Sequence, residues 1–214
     1  NSRFAAFCLL SKGAYPSELD IPLPFVLAAN DEKAGELVLM PGYWFRYNMY
    51  ALARNAAKSA ARDKRVVRHQ ELEYDWLAPD TVDQMRRARR ILESWADEMY
   101  PSGKTVLETR DSPELYAGES FRVESGHRRT RIVHAGRAWN DYGRMIRHYA
   151  VRTILRAGTA GAAIGMSPDD RLEWENLGGQ LILRTDLENL KKGIKSGEIP
   201  DWGAVHREYR RIGE

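Results

Sequence analysis

The chain has 214 residues, enough to bury a full hydrophobic core without a metal or disulfide staple. Its 33 basic and 30 acidic residues leave a net charge of +3, too small an excess for a dedicated nucleic-acid binder. A single cysteine, Cys8, excludes an internal disulfide and suits a reducing, cytoplasmic setting, and no run approaches the roughly 20 apolar residues of a membrane helix.

The first forty residues are proline-punctuated by Tyr15-Pro16, Ile21-Pro22-Leu23-Pro24 and Pro41-Gly42. Such a density excludes a long helix. Phe4 to Leu10 and Leu37 to Met40 read as strands, and Phe25 to Ala29 as a short buried segment. Cys8 reads as a small core residue, because no neighbour supplies a base that would activate it.

From Gly42 the period becomes helical. A first, Ala-rich helix is predicted over Tyr43 to Arg62. A second begins after Ala78-Pro79 with Asp80 as N-cap, carries Val82, Met85, Ala88, Leu92, Trp95 and Met99 on one stripe, and ends before Pro101. Its other side, with Arg86, Arg87, Arg89 and Arg90, reads as a solvated face. Between 104 and 134 a small β insertion is expected, with strands at Thr105 to Thr109, Ser120 to Glu124 and Thr130 to Val133. A third helix follows over Ala138 to Arg156, with Trp139, Tyr142, Ile146, Tyr149 and Thr153 aligned and Gly158 as its stop.

A fourth helix is expected from Ser167-Pro168, broken or kinked at Gly178-Gly179 and resumed through Leu187, Leu190 and Ile194 to Gly197. A last helix opens at Asp201 with Trp202, Val205, Tyr209 and Ile212 facing inward. No internal repeat of solenoid period is evident. The fold class is therefore mainly α (α+β), organised as an extended segment over 1–40 and a helical domain over 41–214.

The segment from Met40 to Arg62 carries the main candidate site. Asn48, Asn55 and Arg62 recur every seven positions among apolar or small residues, and buried amides and guanidiniums need partners. Two readings stand side by side: a structural polar network, or an anion or sugar site built from Arg46, Asn48, Arg54, Asn55, Lys58 and Arg62. His127, Arg128, Arg129 and Arg131 form a second basic run that could clamp phosphate. They could equally face solvent and pair with Glu119 and Glu124.

The five histidines lack metal-ligand spacing, so no metal or other cofactor is expected. His148 is the lone candidate for acid-base work, set against an ordinary structural role. The glycines at 158, 161 and 165 follow a helix rather than a strand and lack a Gly-Lys-Ser/Thr end, so they read as a helix connection and not a nucleotide loop.

Asn1 to Gly13 running on to Ile21-Pro22-Leu23-Pro24-Phe25, then Met40 to Asn55, with Tyr74 to Thr81 as a further echo, resemble the later part of an uncharacterised bacterial family. Its longer members carry a left-handed parallel β-helix, of the hexapeptide-transferase kind, before a helical C-terminal region. The resemblance implies that residues 1 to about 40 are the last coils and their exit. It also implies an anionic ligand of sugar-nucleotide or acyl type, assembly as a homo-oligomer through the upstream region, and any transferase active site partly or wholly outside this chain. The alternative is a nucleic-acid-binding helical module using the basic helix faces.

Overall fold

In the computed structural model the described residues are 1–66, 72–109, 113–158 and 173–213. They form two compact units, Asn1–Asp63 with Asp75–Ala162, and Lys64–Tyr74 with Ala163–Glu214. Helix outweighs strand, and the strands lie in small sheets.

The first unit starts as a parallel coil. Strand β1 (Arg3–Phe4) pairs with β3 (Asp20–Ile21), and β2 (Leu9–Leu10) with β4 (Leu27–Asp31), both in parallel. Leu9 lies beside Leu27 and Leu10 beside Ala28, so the chain returns to the same place after eighteen residues. Phe7 and Phe25 mark the same point of successive turns. Both take a left-handed backbone, φ 57° and 56°, and their rings stack at 4.8 Å with planes 8° apart. That conformation disfavours a Cβ-bearing residue by about 1–2 kcal/mol, a cost the stacked rings and their burial can offset. Parallel pairing thus recurs at a spacing of seventeen to eighteen residues with no sequence repeat to announce it, because two-residue strands are too short for periodicity to register.

Strand β4 then hairpins into β5 (Glu36–Met40). Beyond the helices the sheet gains β7 (Thr130–Ile132), parallel to β5, and β6 (Leu115–Tyr116), antiparallel to β7, in the order β2-β4-β5-β7-β6. The β element near 104–134 is therefore the edge of the N-terminal sheet. Thr105 to Thr109 is not a strand: helix α4 (Gly103–Glu108) occupies it. A Cβ on Gly103 would lie 2.3 Å from the Asp97 nitrogen, so this entry to α4 requires glycine. Ser120 to Glu124 contributes a single bridge, Glu124 to Leu19.

The helix predicted over 43–62 is two helices, α1 (Tyr43–Tyr47) and α2 (Met49–Arg62), separated at Asn48, whose φ of −145° and ψ of 25° leave the helical region. Helix α3 (Pro79–Met99) buries Val82, Met85, Ala88, Leu92 and Trp95, each large side chain contributing roughly 1.5–3 kcal/mol. Its N-cap is Ala78 and not Asp80. The Ala78 N–H donates to Thr81 Oγ1 at 3.0 Å, and Pro79 fills the first turn. The arginine face of α3 is only partly solvated: Arg90 is exposed, but Arg89 lies 3.8 Å over the Trp139 ring. Helix α5 (Ala135–Ala157) packs on α3 through Trp139 and Tyr142.

In the second unit β8 (Trp174–Leu177) and β9 (Gln180–Leu183) form a hairpin. Gly178 and Gly179, at φ 62° and 96°, make its two-residue turn, where the sequence suggested a helix break. Helix α6 (Arg184–Ser196) buries Leu187 and Leu190 and ends at Gly197 in the left-handed region, as its sequence predicts. Asp201 starts α7 (Trp202–Gly213) by accepting the Ala204 N–H at 2.7 Å, again as predicted, but Trp202 is 73% exposed rather than inward. The start of the expected fourth helix, at Ser167, and most of the glycine stretch 158–165 lie outside the described residues.

Candidate functional site

A concavity of the first unit is built mainly by α1 and α5. Gly42, at φ 69°, turns the chain from β5 into α1, and the place where a Cβ would stand lies 3.6 Å from Ala138 Cα. Tyr142 donates its hydroxyl proton to the Pro24 carbonyl at 2.6 Å, tying α5 to the corner of the coil. Burial pushes that phenol well above its usual range, so it acts as a neutral donor.

These two attachments place Arg46 of α1 against Asp141 of α5. The Arg46 Nε donates to Asp141 Oδ2 at 2.7 Å, and Nη2 donates to the same oxygen. Arg144, one helical turn along, reaches Asp141 Oδ1 at 3.8 Å. Around this triad lies a groove of about 750 Å³, lined also by Phe45, Met49, Glu108, Arg137, Asn140 and Met145. Asn140 is fixed by donating to the Leu107 and Gly136 carbonyls at 3.2 and 2.9 Å. His134, just before α5, titrates below its ordinary value, first through burial and then through the Arg137 and Arg46 guanidiniums. The groove therefore combines three arginines, two carboxylates and Asn140 with the apolar Phe45, Met49 and Met145.

Of the sequence-derived candidates, Arg46 lines this groove. Asn48 is half-buried at the break between α1 and α2. Arg54, Asn55, Lys58 and Arg62 are exposed on α2, and none of them lines the groove. Arg54 reaches Asn55 Oδ1 only at 3.5 Å and lies 6.0 Å from the Tyr50 ring centre. The seven-residue stripe thus faces solvent along most of α2, and the buried network imagined for it does not form there.

The second basic run is largely engaged by carboxylates. Arg128 holds Glu124 through Nε and Nη2, each at 2.9 Å, and donates to Asn30 Oδ1. Arg131 bridges Asp31, Glu36 and Glu114, while Arg129 lies 3.8 Å over the Tyr116 ring. His127 is exposed. The pairing with Glu124 was anticipated; Glu119 instead donates its backbone N–H to Glu98.

Asp141, Asn140 and Arg144 escaped the sequence reading, although Arg137, Asn140, Asp141 and Arg144 recur at helical spacing beside the Trp139 and Tyr142 stripe. That polar stripe was the available signal. His148 is exposed on α5. Burial pushes the Cys8 thiol up to about 11, in keeping with a packed rather than a reactive residue. Among the described residues no cluster of His, Cys, Asp and Glu could hold a metal ion, and no helix is long and apolar enough to cross a membrane.

No family model and no solved structure matches the chain. An uncharacterised protein of Treponema pallidum (strain Nichols) is 34% identical over 227 aligned residues, which cover 98% of this chain. The same alignment takes in 31% of the Treponema protein, so the chain spans about a third of the length of this relative.

Proposed function

We propose that residues 1 to about 40 are the closing turns of a left-handed, transferase-like β-helix in a longer chain, and that the helices of the first unit cover its end. In this reading the helical part serves assembly, and its arginine-lined groove receives an anionic ligand of acyl or sugar-nucleotide type. A transfer site would then lie with the coils upstream.

The observation that carries the reading is a contrast between equivalent positions of the two turns. Phe7 is 38% exposed while Phe25 is fully buried; Leu10 is 40% exposed and its partner Ala28 fully buried; Phe4 is 47% exposed and its partner Ile21 fully buried. Each member of the first turn is covered on one side and open on the other, as the end of an uncompleted column would be. The backbone agrees: the N–H groups of Arg3, Ala5, Leu9 and Ser11 donate to the second turn. Strand alternation then turns the Phe4 and Leu10 N–H groups to the open edge, which templates another strand unless something covers it.

Amide hydrogen exchange tests this. In this chain alone, the Phe4 and Leu10 amides should exchange much faster than those of Arg3 and Leu9. In the longer chain that the reading requires, they should slow at least about tenfold as they pair with a preceding turn. Unchanged exchange at Phe4 and Leu10 in that longer chain would refute the coil.

A further inference from the structure

We propose that the groove between α1, α2, α4 and α5 takes an amphiphilic organic anion with a head of one or two negative charges. Its phosphate or carboxylate head lies at Arg46 and Arg144, and its apolar body lies along Phe45, Met49 and Met145. This rests on the reading of the groove as an anion site, and it does not depend on the coil.

Size, shape and charge support it together. A volume of about 750 Å³ falls within the range of roughly 300–1,000 Å³ usual for small-molecule sites. Three apolar side chains, Phe45, Met49 and Met145, share the lining with six polar ones, so apolar surface for a ligand body is present together with charge for its head. Asp141 fixes the Arg46 guanidinium through Nε and Nη2, while Nη1 has no hydrogen-bond partner among the described residues. A guanidinium has five N–H donors, so an oriented one can serve a carboxylate partner and a ligand at once. Arg144 is 59% exposed and touches Asp141 only at 3.8 Å. So loose a surface pair holds weakly, and Arg144 can turn to a ligand at small cost.

The charge balance limits the ligand. Arg46, Arg137 and Arg144 stand against Asp141 and Glu108, leaving a single net positive charge among the lining side chains. A nucleic-acid backbone or a polyphosphate would meet Glu108 and Asp141 with too few cations to neutralise it. A monoester phosphate or a carboxylate fits that balance. The apolar side chains then supply affinity that a bare inorganic anion cannot use.

Titration calorimetry of the whole chain with hexyl phosphate, hexanoate, inorganic phosphate and 1-hexanol tests the proposal. Hexyl phosphate or hexanoate should bind at least about tenfold more tightly than inorganic phosphate, since several methylenes leave water. Whichever of the two binds more tightly identifies the head. Arg144→Gln should weaken every anion, whereas Met145→Ser should remove the advantage of the hexyl chain and leave inorganic phosphate binding intact. Equal affinity for inorganic phosphate and both hexyl anions would overturn the amphiphile while keeping an anion site. Binding of 1-hexanol as tight as that of the hexyl anions would overturn the charged head. If none of the anions binds, the anion site falls as well.

Discussion

Replacing Phe25 and Phe7 separately with alanine tests the coil more sharply than any change in the helices. The residues share a left-handed backbone and a common stack, so the strain retained by alanine is nearly the same at both and cancels in the comparison. Burial is what differs. Phe25 is fully buried and also meets the Phe45 ring at 4.6 Å and the Trp76 ring at 6.1 Å. Its removal leaves a cavity and should cost about 3–5 kcal/mol. Phe7, 38% exposed, should cost about 1–2 kcal/mol. The double variant should show a coupling of about 0.5–1.5 kcal/mol, because each single variant already breaks the stack. Amide exchange at Leu9 and Ser11, which donate to Val26 and Ala28, reads these costs within the first unit alone. Equal destabilisation by the two substitutions, to within about 0.5 kcal/mol, would refute the assignment of Phe7 to an open end.

Three further outcomes follow from individual groups. Arg128→Ala should cost about 3 kcal/mol in urea denaturation, because the Glu124 side chain it holds is only 1% exposed and would remain as a buried charge; a loss under about 1 kcal/mol contradicts that account. The Glu98 carboxyl titrates below its ordinary 4.5, chiefly through the Ser120 hydroxyl and against a smaller burial effect, with the Glu119 and Ser120 N–H groups adding to the depression. Its folded value lies below its unfolded one, so the stabilisation is complete above pH 4.5 and disappears as pH falls through the folded value. An acid titration should show this component in the native chain and lack it in Glu98→Gln; identical profiles would show that Glu98 is not its source. Cys8, with its thiol pushed up to about 11, should react with a disulfide reagent at a rate still rising beyond pH 9, and a plateau near pH 8.5 would contradict its burial.

Helices that bury one clear stripe were legible in the sequence. Val82, Met85, Ala88, Leu92 and Trp95 sit where their spacing puts them, because packing on one side is what a helical period records. The same is true of Leu187 and Leu190 and of the stops at Pro101 and Gly197. Short β segments were not legible. Strands of two residues cannot display alternation, and β7 finds its neighbour β5 across more than ninety residues, a separation no local pattern encodes. Thr105 to Thr109 was misjudged for a related reason: β-branched residues favour strands only weakly, and here they do not prevent the short helix that starts at Gly103.

The candidate residues part company at Asn48. Grouping Arg46 with the stripe of Asn48, Asn55 and Arg62 in one site assumes an unbroken helix from Tyr43 to Arg62. The interruption at Asn48 ends that common face, so spacing carries no information from Arg46 to the residues beyond it. Arg46 is then placed by what holds α1, namely the turn at Gly42 and the packing of Phe45 against Phe25, Trp76 and Tyr142. Tyr142 is held in turn by Pro24, beside Phe25 in the second turn of the coil. The guanidinium in the groove and the stacked rings of the coil are thus joined through Phe45 and Tyr142, two contacts from either side. A ligand held by Arg46 should therefore slow exchange of the Phe25 amide, which donates to Ala6, whereas the Ala57 and Lys58 amides on the exposed part of α2 should not respond.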